Sequence, residues 1–366
     1  MERFDVVVVG AGPAGASAAH AAALGGARTL LVDRRPELGQ PVQCGEFLPS
    51  PAELIDVFGT PELIERAITI PPETILRETH WMVCVSPYGH RFRFPLSGYT
   101  VSRRAFDKAL AHRAEGAGAE LRHPLSVVAV RDDELRFADG STARASVIVG
   151  ADGPISTVAR AVGFAPPREM YRMITATVDE SFGDEIDLFF GRVAPGGYAW
   201  AFPRADDLNV GLGIIGPTPG RSLDQLLDRF VEKAGFAPAH ERTRWWVPIG
   251  DPPRQWSSGR TLFAGDAANV VMATNGGGIP TAMLSGWLAG ATAARHVREG
   301  TALSEYDRAA RSALSVPLER AYQIKRSTDR VVHSNFALAL CMRYIGGAGL
   351  DSVMRLRWPR RLRGGS

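Results

Sequence analysis

The sequence has little cysteine, no long apolar run and almost no charge imbalance. Only Cys44, Cys84 and Cys341 occur among 366 residues, and no two form a CxxC pair. That excludes a disulfide framework, and it fits a reducing, cytoplasmic compartment. No metal site is expected. No stretch reaches eighteen uninterrupted apolar residues, so no transmembrane span is expected. After Met1-Glu2-Arg3 the chain runs straight into an apolar segment and a glycine motif, which does not read as a signal peptide. With 42 Lys+Arg against 39 Asp+Glu the net charge is +3, too even for a nucleic-acid binder. No internal repeat is visible. What the sequence does have is glycine, 39 of 366 residues, above the average of roughly 7%. Without low complexity, that excess marks tight turns and close backbone approaches. The length corresponds to about two domains, and 45% apolar residues suffice for a sizeable core.

The first constellation is local. Residues 4–9 are a valine-rich run that ends at Gly10 and read as a buried parallel strand. Gly10-Ala-Gly12-Pro13-Ala14-Gly15 follows, then a small-residue helix to about Leu24, then a second strand over 29–32. In such a unit Gly10 permits the tight turn, Gly12 lets a pyrophosphate approach, and Gly15 lets helix and strand pack closely. Asp33, at the end of the second strand, can accept from a ribose hydroxyl and disfavours a 2′-phosphate there. The bland alternative is a merely structural glycine turn.

Further along, 102–116 has a helical pattern, short strands are expected near 126–131 and 134–137, and 145–150 reads as another buried strand. Residues 173–215 alternate as several short strands, an antiparallel sheet in outline. Residues 223–235 form an amphipathic helix. Residues 261–264 return to a buried strand, and a Gly276-Gly277-Gly278 turn precedes a long helix over about 280–299. The end of the chain carries arginines at 355, 357, 360, 361 and 363, interleaved with Leu356, Trp358 and Leu362. It reads either as a solubilising terminus or as an interfacial patch for anionic lipid.

Four stretches together resemble the FAD-dependent monooxygenase and prenyl-reductase class, which has a glutathione-reductase-like fold. They are the 10–15 turn with Asp33-Arg34, Ser102-Arg103-Arg104-Ala105-Phe106-Asp107, the segment from Ala151-Asp152-Gly153 to Arg160, and Gly265-Asp266-Ala267-Ala268 with the 276–278 glycines. The resemblance implies an α/β (α+β overall) fold with a discontinuous Rossmann-like FAD-binding domain, made from 1–70, 101–165 and 256–300. An antiparallel-sheet substrate domain is inserted, with strands in 71–100 and its main part in 166–255. A helical region with the basic tail closes the chain over 301–366. The implied FAD contacts are Gly10, Gly12, Pro13, Ala14, Gly15, Asp33, Arg34, Cys44, Arg103, Asp152, Gly265, Asp266, Gly276, Gly277, Gly278 and Ile279. Asp152 and Asp266 each also have a bland reading, as a turn or helix cap.

Two shorter motifs narrow the class. Tyr198-Ala-Trp200-Ala-Phe202-Pro203 and Gln43-Cys44-Gly45-Glu46 resemble signatures of the geranylgeranyl reductase family. At period two, Tyr198, Trp200 and Phe202 share one strand face, a suitable wall for a long apolar prenyl substrate; a plain sheet core is the alternative. The resemblance implies a reductase that saturates isolated C=C bonds of a polyprenyl group, with Cys44 and Glu46 as candidate catalytic residues, Glu46 for polar positioning. Cys44 read alone is also compatible with a small buried hydrophobe. An isolated alkene accepts hydride poorly, so a proton must be supplied, with Cys44 or an ordered water as the acid. The electron donor is open between NAD(P)H and a ferredoxin-like protein, since no second intact GxGxxG is visible. An aromatic-ring monooxygenase using NAD(P)H and oxygen fits the fold motifs equally. Arginines 91, 93, 103 and 104 are candidates for a phosphate head group, against a solvated face for the first two. One departure is local: many family members have a proline just ahead of the glycine cluster, where this chain has Asn275, and a freer backbone is expected there.

Overall fold

A computed structural model describes residues 1–164, 169–180, 183–216, 218 and 220–362, with the side chain of Leu362 outside that description. The expected boundary at 165/166 and Arg363 therefore lie outside the described residues.

Apolar segments rich in valine and leucine, buried on both faces, build the centre of the first sheet. Its order is Ser257–Ser258, Thr261–Phe263, Thr142–Gly150, Glu2–Val9, Thr29–Val32, Glu120–Arg122. The five strands from Thr261–Phe263 to Glu120–Arg122 are parallel, and Val6 to Val8, Leu30, Leu31, Val147 and Ile148 are fully buried. The hairpin of Val127–Arg131 and Glu134–Phe137 attaches to the lower half of Thr142–Gly150.

Small residues let two helices lie almost in backbone contact on this sheet. The helix Pro13–Leu24 is rich in alanine, and the long helix Ile279–Glu299 crosses it at Gly286 and Gly290. A Cβ at either glycine would sit 2.0 Å from a carbonyl oxygen of Ala14 or Ala18. Larger residues there would prise the helix away from the turn that precedes it.

The second sheet has eight strands in the order His240–Pro248, Met170–Val178, Leu208–Ile214, Tyr198–Pro203, Glu185–Phe190, Ile75–Val85, Arg91–Val101, Phe47–Pro49. It is antiparallel, as expected, except where Glu185–Phe190 runs parallel to Ile75–Val85. Phe47–Pro49, within the stretch assigned to the first domain, pairs with this second sheet instead. One face is covered by the helix Leu223–Ala234, packed on Ala199, Ala201 and Val210. The other face carries Met82, Trp200 and Phe202 and is partly roofed by the helix Asn335–Met354. No helix among the described residues is long and apolar enough to cross a membrane.

Candidate active site

Two cavities meet between the sheets. The first is a cleft of about 1420 Å³, mouth included, running over the carboxyl ends of the parallel strands from Asp33 and Gly12 to Asp266, Gly276 and Gly278. The second is an apolar pocket of about 1300 Å³, mouth included, against the face of the second sheet that carries Met82, Trp200 and Phe202. Gln43, Cys44, Gly276, Gly278 and Ile279 line both.

At one end of the cleft the glycine turn is sterically committed. Gly10 has φ +100°, and a Cβ there would lie 2.3 Å from the Ala151 carbonyl oxygen; a Cβ on Gly15 would lie 1.7 Å from the Gly10 carbonyl oxygen. Gly12 differs, with nothing within 4 Å of its Cβ direction. It is also the N-cap of Pro13–Leu24, and no side chain caps that helix. Open space before an uncapped helix N-terminus is a place for an anionic group. Beside it, Asp33 is buried, and its carboxylate accepts from the backbone N–H of Ala11 (2.7 Å) and Arg35 (2.8 Å). A carboxylate has acceptor capacity left after two such bonds.

Asp266 and the glycine turn form the other end. Asp266 sits on the single turn Gly265–Ala268, and its carboxylate has no hydrogen bond among the described residues. Burial pushes its pKa up to about 6, against the pull of Arg103. A half-buried acid without a donor, aimed at a cleft, fits the hydroxyls of a bound ribityl chain. The long helix begins at Ile279 with Gly278 as an N-cap that has no side-chain cap, so its free N–H groups suit negative charge at the flavin ring. The turn is not loose, contrary to the expectation from the missing proline. Asn275 accepts from the Gly277 N–H at 3.0 Å, Gly276 donates to the Met272 carbonyl at 2.9 Å, and the Tyr198 hydroxyl donates to the Asn275 carbonyl. An Asx side chain supplies the constraint that proline would have supplied.

The other expected cofactor residues are placed differently. Asp152 lines the cleft, but its carboxylate is occupied by the Ser156 hydroxyl and the N–H groups of Thr157 (2.6 Å) and Val158 (3.2 Å) at the start of Thr157–Ala161. Arg34 and Arg103 also line it. Arg103 is fixed by a bidentate pair with the fully buried Asp107, at 2.8 and 2.9 Å. Arg91 and Arg93 pair with Glu185, Arg91 also with Asp187, and Arg104 pairs with Glu37, so these candidates for a phosphate are already neutralised.

In the apolar pocket Tyr198, Trp200 and Phe202 stand on one strand face, ring centroids about 6 Å apart. Met82, Leu96 and Leu188 complete the wall, with Met354 and Arg355 at the margin. Gly211 is required behind Trp200, since a Cβ there would fall 2.2 Å from the indole ring.

Cys44 stands where the cavities join. Its Sγ accepts from the Glu46 N–H at 3.2 Å. Burial pushes the thiol pKa up, with the Arg103 charge pulling the other way. Glu46 lies behind it, 2% exposed with φ +68°. Its carboxylate is filled by the Arg103 N–H (2.9 Å), the Arg204 guanidinium (3.0 Å) and Asn209 Nδ2 (3.0 Å). Asn209 also donates to the Cys44 carbonyl at 2.9 Å and accepts from Trp200 Nε1 and Thr175 Oγ1, both at 2.9 Å. Glu46 and Asn209 thus hold Cys44 and Trp200 in one rigid network, a positioning arrangement with no oxygen of Glu46 left idle.

Sequence reasoning missed Arg204 and Asn209. A lone asparagine in the otherwise apolar Leu208–Ile214 is the signal, because a buried amide must be hydrogen-bonded. Replacing Asn209 with leucine should destabilise the protein by about 3 kcal/mol, since several buried groups lose partners at once. Urea unfolding would measure it, and a loss under about 1 kcal/mol would show the network is not tightly coupled.

The fold and the cleft define an FAD-dependent oxidoreductase of the glutathione-reductase-like type. Residues 3–189 match an FAD binding domain family and residues 168–245 match the geranylgeranyl reductase catalytic domain. Digeranylgeranylglycerophospholipid reductase 1 of Methanothermobacter thermautotrophicus is 33% identical over 88% of this chain and 86% of its own length. Digeranylgeranylglycerophospholipid reductase 2 of Methanopyrus kandleri is 36% identical over 81% of this chain and 78% of its own. The crystal structure of a geranylgeranyl bacteriochlorophyll reductase-like protein from Thermoplasma acidophilum shares the fold, with a TM-score of 0.87, 23% identity and coverage of 99% of this chain and 98% of that one. The chain belongs to the geranylgeranyl reductase family of FAD-dependent oxidoreductases.

Proposed function

We propose that this protein saturates isolated C=C bonds of a polyprenyl chain of the geranylgeranyl type. The observation that carries the reading is the junction of a deep apolar pocket with the cofactor cleft at Cys44 and the 276–279 turn. The relatives named as reductases of digeranylgeranyl lipids support the substrate class. Bound and reduced, FAD supplies a hydride. The chain's own residues do the rest. Gly12, Asp33 and Asp266 with the two uncapped helix starts would hold the cofactor's phosphates and hydroxyls. Tyr198, Trp200 and Phe202 press the alkene into place and exclude water, and the wall's own donors are engaged elsewhere, the Tyr198 hydroxyl by the Asn275 carbonyl and Trp200 Nε1 by Asn209. Cys44 holds a proton on Sγ at neutral pH. Its neighbours, the Glu46 N–H and the Arg103 guanidinium, can only donate, so the thiol hydrogen is left for the second alkene carbon. NAD(P)H or a ferredoxin-like protein restores the reduced cofactor.

The test is anaerobic. Photoreduced holoprotein mixed with a geranylgeranyl lipid should give product heavier by two hydrogens per double bond, with matching flavin oxidation. Unchanged substrate mass, together with oxygen-dependent hydroxylation of an aromatic compound, would assign the monooxygenase reaction instead.

A further inference from the structure

The helix Asn335–Met354 is apolar on two faces. Leu338, Met342 and Ile345 are buried against the sheet that carries Met82, Leu96, Trp200 and Phe202. On the outside Phe336, Leu340 and Tyr344 are 69%, 58% and 54% exposed. Spaced by four, they form one ridge along the helix. An ordinary surface helix is polar there, and three large apolar side chains in line need a cover.

Four exposed arginines stand on or beside this helix. Arg343 is exposed on the same helix. Arg361 donates to the Tyr344 carbonyl and lies over its ring at 6.0 Å, with the exposed Arg360 beside it. The exposed Arg192 reaches the helix start, where its N–H donates to Asn335 Oδ1 at 3.0 Å. Arg192, Arg343, Arg360 and Arg361 have no carboxylate partner among the described residues. The tail arginines closer to the core are the opposite case. Arg355 pairs with Glu53, Asp351 and Asp56, Arg357 pairs with Asp56, and Leu356 between them is 2% exposed. That part of the tail is a clamp on the helix Pro51–Phe58, so the basic lipid patch expected over 351–366 does not include it.

We propose that the Phe336–Leu340–Tyr344 ridge docks on an anionic lipid surface, with Arg192, Arg343, Arg360 and Arg361 facing the lipid phosphates. Apolar side chains inserted at the interface and flanking cations are the two elements of reversible membrane attachment. A second copy of the chain is a poorer occupant, because a two-fold contact through this face would set arginines against arginines. The inner face of the same helix closes over the pocket sheet, so docking holds the pocket at the membrane. There a prenyl lipid, the substrate class proposed above, is available.

The experiment is co-sedimentation of the full-length holoprotein with phosphatidylcholine vesicles, with and without phosphatidylglycerol. Binding should require the anionic lipid and weaken with salt. The Phe336→Ser, Leu340→Ser, Tyr344→Ser triple variant should bind at least about tenfold more weakly, and Arg343→Glu more than about fivefold. Thermal unfolding, the flavin spectrum and turnover of a detergent-dispersed substrate should stay as in the parent. Equal binding by parent and triple variant, or no binding by the parent, overturns the proposal. So does a parent dimer that the triple substitution dissociates while vesicle binding is absent. Vesicle binding without reduction of any prenyl compound leaves the docking in place and overturns the substrate reading.

Discussion

Exchange of Cys44 for alanine is expected to lower the rate of C=C reduction by about 10²- to 10⁴-fold, the range for removing a positioned general acid, while FAD stays bound. The cysteine lies at the junction of cleft and pocket, so its loss removes the one thiol that faces both. Reduction of the flavin by dithionite or light should be unchanged, because that step does not use the alkene's proton. The pH dependence follows from the direction of the shift. Burial raises the thiol pKa, and the acid must be protonated to act. The rate should therefore hold through pH 8.5, the ordinary thiol value, and fall only above it. Stopped-flow oxidation of the reduced flavin by substrate, run across pH in parent and variant, measures both effects. A variant with more than about a tenth of the parental rate would leave the proton to an ordered water.

Substituting Gly12 with valine should abolish FAD binding and spare the fold. The space around its Cβ direction is empty, so a Cβ there meets no atom of the apoprotein. The added methyls instead fill the room in front of the helix N-terminus that a pyrophosphate must enter. Affinity should drop by more than about 100-fold, seen as colourless purified protein with a far-UV circular dichroism spectrum like the parent's. Gly15→Val is the contrast. Its side chain would collide with the Gly10 carbonyl, so lower stability should accompany the loss of flavin. A yellow Gly12→Val protein would show that the cofactor enters the cleft differently.

The legible parts were those written in short stretches of chain. The 10–15 turn, the strand ending at Asp33 and the small-residue helix could be read because the motif is contiguous, with Gly15 facing the Gly10 carbonyl, although the Ala151 carbonyl that also crowds Gly10 comes from far along the chain. The shared face of Tyr198, Trp200 and Phe202 followed from the two-residue period of a strand. Glu46 was singled out for polar positioning, but what it positions was not legible, because its partners Arg204 and Asn209 lie 158 and 163 residues away. The tail arginines were read together, either as a solubilising terminus or as one basic patch. Which of them stay uncompensated depended on the acids that the Pro51–Phe58 helix brings to Arg355 and Arg357.

By itself, then, the sequence determined a dinucleotide turn, two sheets and an aromatic strand face, since backbone sterics and side-chain periodicity act over a few residues. The tertiary structure alone decided that Cys44 and the 276–279 turn stand at one junction, that Asp152 serves its own helix while Asp266 faces the cleft without a donor, and that a helix near the end of the chain turns an apolar ridge outward. Those outcomes depend on which distant groups come within a hydrogen bond or a van der Waals contact of one another, and only the packed chain fixes such distances.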